Sequence, residues 1–203
     1  MELVLASRNK KKIAELQAMM SGIDKLDIKI LSLDDIGFFD EIEENGQTFE
    51  ENARIKANAG ASLGYITIAD DSGLCVDALN GQPGVYSARF SGGGDKENNM
   101  LLVEKLKGLP FEQRGACFKT SVVCIFPEQH IEIVTEGEVR GYITEEARGT
   151  NGFGYDPHFF YPPFNKNFAE LTSEEKNAIS HRGQAMKAFA EELVKVAEKY
   201  NLK

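Results

Sequence analysis

The stretch Ile66-Thr67-Ile68-Ala69-Asp70-Asp71-Ser72-Gly73-Leu74 constrains this chain more than any other. A short β-branched run, Tyr65-Ile66-Thr67-Ile68, leads into two adjacent carboxylates, a small hydroxyl and a glycine. That pattern predicts a strand that ends at the acids, with a turn following at once. Neighbouring carboxylates repel each other and resist burial, so folding alone gives no reason to set two of them after a core strand. A bound divalent cation removes the difficulty, because hard oxygen ligands are what Mg²⁺ prefers. The competing reading is a solvated turn carrying two acids, and the rest of the chain has to decide between them.

Near the start, Glu2-Leu3-Val4-Leu5-Ala6 reads as a short apolar strand running into Ser7-Arg8-Asn9-Lys10-Lys11-Lys12. Ile13, Leu16 and Met20 then mark one face of a helix. A strand, a polar turn and a helix start together point backbone N–H groups at an anion. Lysines in a first helical turn oppose the helix dipole, so this unfavourable local choice points to a bound phosphate. A second loop, Arg148-Gly149-Thr150-Asn151-Gly152-Phe153-Gly154-Tyr155-Asp156-Pro157, alternates glycines with aromatics. Glycine lets a backbone come close to a ligand, and an aromatic ring offers a stacking face for a base. The loop lacks the dinucleotide pattern, since no apolar-periodic helix follows it. Finally, Ser180-His181-Arg182-Gly183 interrupts two helical patterns. Both His181 and Arg182 donate hydrogen bonds, and arginine forks onto carbonyl-type acceptors.

The remaining segments predict a mixed sheet with helices. Strands are expected at Ile28–Leu33, Ala116–Phe126, Ile131–Val139 and Phe159–Tyr161, with Pro127-Glu128-Gln129-His130 as a hairpin turn. Capping-box patterns at Thr48-Phe49-Glu50-Glu51 and Thr172-Ser173-Glu174-Glu175 open two helices. The first of these carries Lys56, which has the reach for a phosphate. Asp95 opens another helix, and a last one buries Met186, Phe189, Leu193 and Val196. The segment from Asp34 to Asn45 is rich in acids and reads mostly as solvated surface.

Length and charge set the outer bounds. At 203 residues the expectation is one domain, 1–203, of two lobes with no separable linker. The net charge of −9 excludes a general nucleic-acid surface and leaves an anionic small molecule open if positive charge is concentrated locally. No run reaches about 18 apolar residues and no basic-then-apolar leader opens the chain, so a cytoplasmic protein without membrane contact is expected. Cys75, Cys117 and Cys124 form no Cys-x-x-Cys pair, which suggests buried thiols in a reducing compartment.

Taken together, these loops resemble the inosine/xanthosine triphosphate pyrophosphatases, which hydrolyse non-standard purine nucleoside triphosphates. The residues that carry the likeness are Ser7 to Lys12, Phe49-Glu50-Glu51-Asn52-Ala53 with Lys56-Ala57, and Ala69 to Leu74. Pro83-Gly84-Val85-Tyr86-Ser87-Ala88-Arg89, Gly152 to Pro157, Leu171 to Lys176 and Ile179 to Arg182 continue it across almost the whole chain. Arg8 stands where many members of that family have glycine.

The resemblance implies an elongated α/β fold of two lobes, with a long twisted mixed sheet flanked by helices and an active site in the cleft between lobes. It also implies a homodimer and a Mg²⁺-dependent cleavage of ITP, dITP or XTP to the monophosphate and pyrophosphate. By position, Asp71 is the catalytic carboxylate and a metal ligand, and Glu41 is a second metal-binding acid. Ser7, Arg8, Asn9, Lys10, Lys11 and Lys12 would hold the triphosphate, with Ser72 nearby. Phe153, Gly154, Tyr155, Asp156, Lys176, His181 and Arg182 would form the base pocket. Lys56 and Asp70 are supporting candidates. Two rivals stand beside this reading: a pyrophosphatase of the same fold acting on other modified nucleotides, and a nucleotide sensor without catalysis.

Overall fold

A computed structural model describes residues 1–8, 10–20 and 26–202, the side chains of residues 10–12 and 15 excepted. Among the described residues, seven strands form one sheet in the order β2-β1-β3-β4-β5-β6-β7. They are β1 (Glu2–Leu5), β2 (Lys29–Ser32), β3 (Thr67–Val76), β4 (Gly115–Phe126), β5 (Ile131–Ile143), β6 (Phe159–Tyr161) and β7 (Lys166–Asn167). β1 runs parallel to β2 and β3, whereas β6 runs antiparallel to β5 and β7, so the sheet is mixed as expected. Parallel neighbours need a crossover, and the helices α1 (Lys10–Met20) and α2 (Phe49–Ala61) supply it. The other helices are α3 (Asp95–Lys105), α4 (Ser173–Ile179) and α5 (His181–Tyr200).

The chain divides into two compact units. The first comprises Met1–Asp71, Thr120–Gly137 and Arg182–Lys203. The parts of β1, β3 and β4 that lie in it are buried on both faces for most of their length, which is why β1 and the second half of β4 read as near-continuous apolar runs, whereas β5 alternates. Leu3, Leu5, Ile68, Val122, Cys124 and Phe126 pack with Leu16 and Met20 of α1 and with Met186, Phe189 and Leu193 of α5. The alternate residues Val4, Ala69 and Val123 pack instead with Ala53 and Ala57 of α2. Small side chains let α2 lie close to the sheet, and a Cβ at Gly60 would run into the Thr67 side chain. Thr48 caps α2 as predicted: its hydroxyl accepts from Glu51 N at 3.1 Å, while the Glu51 carboxylate accepts from Thr48 N at 3.3 Å.

The second unit comprises Ser72–Lys119 and Glu138–His181. Leu74, Val76, Leu102, Leu106, Val139 and Ile143 share its core with the rings of Phe118, Tyr155, Phe159 and Phe168. Phe118 and Phe159 lie 4.6 Å apart between centroids, and Phe159 meets Phe168 edge-on at 4.8 Å. Such aromatic pairs add about 0.5–1.5 kcal/mol beyond their buried area.

One expectation fails. The strand does not stop at the acids: β3 continues from Thr67 through Asp70 and Asp71 to Val76, and both carboxylates are buried. Burial inside a ladder is tolerated here because each carboxylate meets a cation or an amide, as described next. Among the described residues, no helix is long and apolar enough to cross a membrane.

Candidate active site

In the first unit, β3, α2 and the segment before α2 bring four polar side chains together. Asp71 Oδ2 accepts from Asn52 Nδ2 at 3.1 Å, and Asp71 Oδ1 lies 3.3 Å from Lys56 Nζ. Lys56 Nζ also donates to Glu44 Oε2 at 2.7 Å, so one buried ammonium joins two carboxylates. Asn52 and Lys56 stand four residues apart on α2, which places them on one helix face. Burial alone pulls the Lys56 ammonium toward neutrality, but the charges of Asp71, Asp70 and Glu44 outweigh it and hold its pKa above the usual lysine value. On the lysine side, the stability that goes with the raised pKa is fully present below a lysine's ordinary pKa of about 10.4 and is lost as pH rises through the raised value.

Asp70 faces a different partner. Arg182 Nε donates to Asp70 Oδ2 at 3.1 Å, with the two side chains only 4% and 1% exposed. The carboxylate therefore pins the start of α5 to the middle of β3. This gives Asp70 the place that the sequence left open.

In the second unit, the Gly152–Asp156 segment folds around a second buried ion pair. Lys176 Nζ, on α4, donates to Asp156 Oδ2 at 2.7 Å and lies 4.7 Å from the centre of the Phe153 ring. Phe153 N donates to the same carboxylate oxygen at 2.9 Å. The arrangement holds a cation over one aromatic face, a contact worth about 0.5–2 kcal/mol. Tyr155 turns away into the core, its hydroxyl donating to Ser87 O at 2.7 Å, and burial pushes that phenol well above its ordinary pKa. Of the two aromatics in this loop, Phe153 is the partly exposed one. His181 is stacked flat on Phe118, with ring centres 5.0 Å apart and an interplanar angle of 9°.

The other expected site residues are spread more widely. Ser7 lies two residues after the end of β1 and is partly buried, and Arg8 is exposed, donating to Phe38 O at 3.3 Å. Asn9 lies outside the described residues, as do the side chains of Lys10, Lys11 and Lys12, although their backbone opens α1. Glu41 is exposed in the segment that precedes α2, and Ser72 is partly buried in β3.

Sequence reasoning missed Glu44, Asn52 and Phe118. Asn52 was findable, because a polar residue one turn before Lys56 repeats its helix face. Glu44 was hidden in a run of acids that are mostly exposed, and no local signal ties Phe118 to a histidine far along the chain.

The carboxylates of Asp71 and Glu44, both touched by Lys56, offer hard oxygens of the kind that Mg²⁺ takes. Among the described residues, no group of three or more His, Cys, Asp or Glu side chains is placed to hold an ion. Mg²⁺ does not require one: it commonly binds through one or two carboxylates and completes its shell with water and substrate phosphate. The residues present fit such an ion.

Known proteins provide the context for this geometry. Residues 3–192 match the Ham1 family. The chain is 50% identical to a dITP/XTP pyrophosphatase of Bacillus licheniformis, over 93% of this chain and 96% of that one. It is 47% identical to a dITP/XTP pyrophosphatase of Leuconostoc mesenteroides, over 95% and 96% of the two chains. The structure of a HAM1 protein from Coxiella burnetii superimposes with a TM-score of 0.87 at 40% identity, covering 96% of this chain and 99% of the other. A nucleoside-triphosphatase / dITP/XTP pyrophosphatase from Mycobacterium abscessus gives 0.76 at 45% identity, over 93% and 98%. This chain belongs to the Ham1 family.

Proposed function

We propose that this protein hydrolyses non-standard purine nucleoside triphosphates, ITP, dITP and XTP, to the nucleoside monophosphate and pyrophosphate with the help of Mg²⁺. The observation that carries the reading is Asp71, a buried strand carboxylate held by Asn52 and by the Lys56 ammonium. A folded protein gains little from burying a second acid beside Asp70 unless the acid acts. The names borne by relatives at 47% and 50% identity support the same activity.

In the reaction, water adds across the anhydride between the first and second phosphoryl groups. The water oxygen bonds to phosphorus, the bridging P–O bond breaks, and the water proton passes to a base. Asp71 serves as that base, with Asn52 and Lys56 fixing the orientation of its two oxygens. Geometry of this kind matters because a general base contributes about 10²–10⁴ in rate only when it is held within hydrogen-bond reach of the proton. When bound, Mg²⁺ supplies charge neutralisation on the phosphates and orients them. Asp71 would hold it with a carboxylate of the acid-rich segment, Glu41 by family position or Glu44 by its contact with Lys56. Ser7 to Lys12 and Ser72 take the triphosphate.

Base choice rests on donors. Hypoxanthine and xanthine present a carbonyl at the six position, where adenine presents an amino group. Lys176, His181 and Arg182 all bear N–H donors, so the adenine amino group would face other donors. A site built for hydrogen bonding can reject such a mismatch by about 10⁴–10⁵. Phe153 supplies the stacking face. The working protein is proposed to be a homodimer of single 1–203 domains in the cytoplasm. Pyrophosphate release from ITP, dITP, XTP, GTP and ATP, each with and without Mg²⁺, tests the reading. Release from the deaminated purines that depends on Mg²⁺ is expected, and equal release from ATP would overturn it.

A further inference from the structure

We propose that Asp95 and Asn99, on one face of α3, are positioning residues that set base selectivity through Gly154. The inference rests on the reading that the Phe153–Asp156 loop faces the purine. Gly154 N donates to Asp95 Oδ2 at 2.8 Å, and Gly154 O accepts from Asn99 Nδ2 at 2.8 Å. The two peptide groups that flank the Gly154 Cα are therefore both fixed by one helix. Gly154 has φ +60, a left-handed conformation that glycine adopts without steric cost and that is easily lost without restraint. Asn99 Nδ2 also donates to Asp95 O at 2.8 Å, which ties the two holding residues to each other.

Stability alone does not account for this clamp. Asn99 is only 9% exposed, and its Oδ1 has no hydrogen-bond partner among the described residues. A buried acceptor left without a partner costs stability. An asparagine at this position is thus a local expense whose return is the grip on Gly154. That grip transmits to Phe153, the next residue, whose ring lies under the Lys176 ammonium. On the other side Tyr155 is anchored to Ser87 O, and Asn98 Nδ2 holds Ala88 O at 3.2 Å. The α3 segment and the turn before it thus hold the loop from several sides.

The consequence follows from how stacking and hydrogen bonding differ. Every base has a π-face, so a loosened aromatic ring still stacks on any purine. Hydrogen-bond discrimination needs the base held in register with its donors. Loosening the ring should therefore cost selectivity and substrate affinity before it costs turnover.

Steady-state kinetics on ITP and ATP with the wild-type protein, Asp95→Ala, Asn99→Ala and Asp95→Asn test this. In both alanine variants the KM for ITP should rise about tenfold and the ITP-to-ATP ratio of kcat/KM should fall about tenfold or more, the equivalent of about one lost hydrogen bond. Their kcat on ITP should stay within about threefold of wild type. Asp95→Asn keeps an acceptor for Gly154 N but loses the negative charge at the helix N-terminus, so its Tm falls like that of Asp95→Ala while its selectivity stays near wild type. A structural role would lower Tm in all three variants and leave the selectivity of the folded enzyme unchanged, which would overturn the proposal. Equal loss of selectivity in Asp95→Asn and Asp95→Ala would overturn it too. A wild-type protein that does not prefer ITP over ATP removes the purine reading and this inference together. Preference in the wild type with unchanged variants removes the inference alone.

Discussion

Asp70 and Asp71 are chain neighbours with different tasks, and strand geometry is the reason. Successive residues of a strand point to opposite faces. Ile68 packs on the α1 and α5 side and Ala69 on the α2 side, so Asp70 turns toward Arg182 and Asp71 toward Asn52 and Lys56. The division predicts opposite phenotypes. Asp71→Asn keeps the shape of the side chain and one of its two acceptor oxygens, and Lys56 retains Glu44 as a partner, so the fold should persist while turnover falls about 10²–10⁴. Asp70→Asn withdraws the charge from a buried arginine, which should cost about 3 kcal/mol in urea denaturation. If Asp70→Asn proved the inactive variant and Asp71→Asn the unstable one, both assignments would fall. The sequence made Asp71 legible through its family position. It left Asp70 open because the partner lies 112 residues away and no local pattern reaches that far.

The cysteines are a second residue-scale case. Burial pushes the Cys117 thiol up to about 11 and raises Cys75 and Cys124 as well. Thiolate is the reactive form, so at neutral pH almost none of Cys117 is reactive. Alkylation of native Cys117 by iodoacetamide should accelerate about tenfold per pH unit from pH 8 to 10, following the thiolate fraction. A plateau near the ordinary thiol pKa of about 8.5 would contradict the buried setting.

At the scale of elements, the signals that held were those with a mechanism inside a few residues. Both capping boxes form, with Thr172 Oγ1 accepting from Glu175 N at 3.1 Å and Thr48 doing the same for Glu51. The hairpin turn at His130 forms with φ +53, and Pro162–Phe164 ends β6 in a single turn. The end of β3 was misjudged for the opposite reason. Two acids break a strand only if nothing neutralises them, and their partners come from α2 and α5, remote in sequence. The Gly149 turn likewise owes its residue to a distant contact. Gly149 has φ +83, and a Cβ there would run into the Ala169 carbonyl. Gly149→Ala should therefore lose about 2–4 kcal/mol, from strained backbone plus overpacking. The denaturant midpoint should drop with an unchanged slope, and a midpoint within error of wild type would show that the segment yields without cost.

For the whole molecule, charge separates two classes of phosphate ligand. A triphosphate and a duplex both present phosphate oxygens, but a duplex presents them along a line about 1.7 Å per charge, and affinity for it comes from many cations acting at once. This chain carries 23 Lys and Arg against 32 Asp and Glu. Among the described residues, the Lys and Arg side chains placed in the interior are already committed: Lys56 to Asp71 and Glu44, Arg114 to Glu145, Lys176 to Asp156, Arg182 to Asp70. Each serves a point of contact and none extends a track. A small ligand neutralised by Mg²⁺ needs only such points, whereas a duplex meets the net charge of −9 as a repulsive field. Non-specific DNA binders reach dissociation constants of about 10⁻⁴–10⁻⁶ M at physiological salt. This protein at about 10⁻⁵ M should leave a short duplex unshifted in a native gel, even as the salt is lowered by about threefold. A retarded band that strengthens at low salt would mean that exposed lysines form a track that the overall charge conceals.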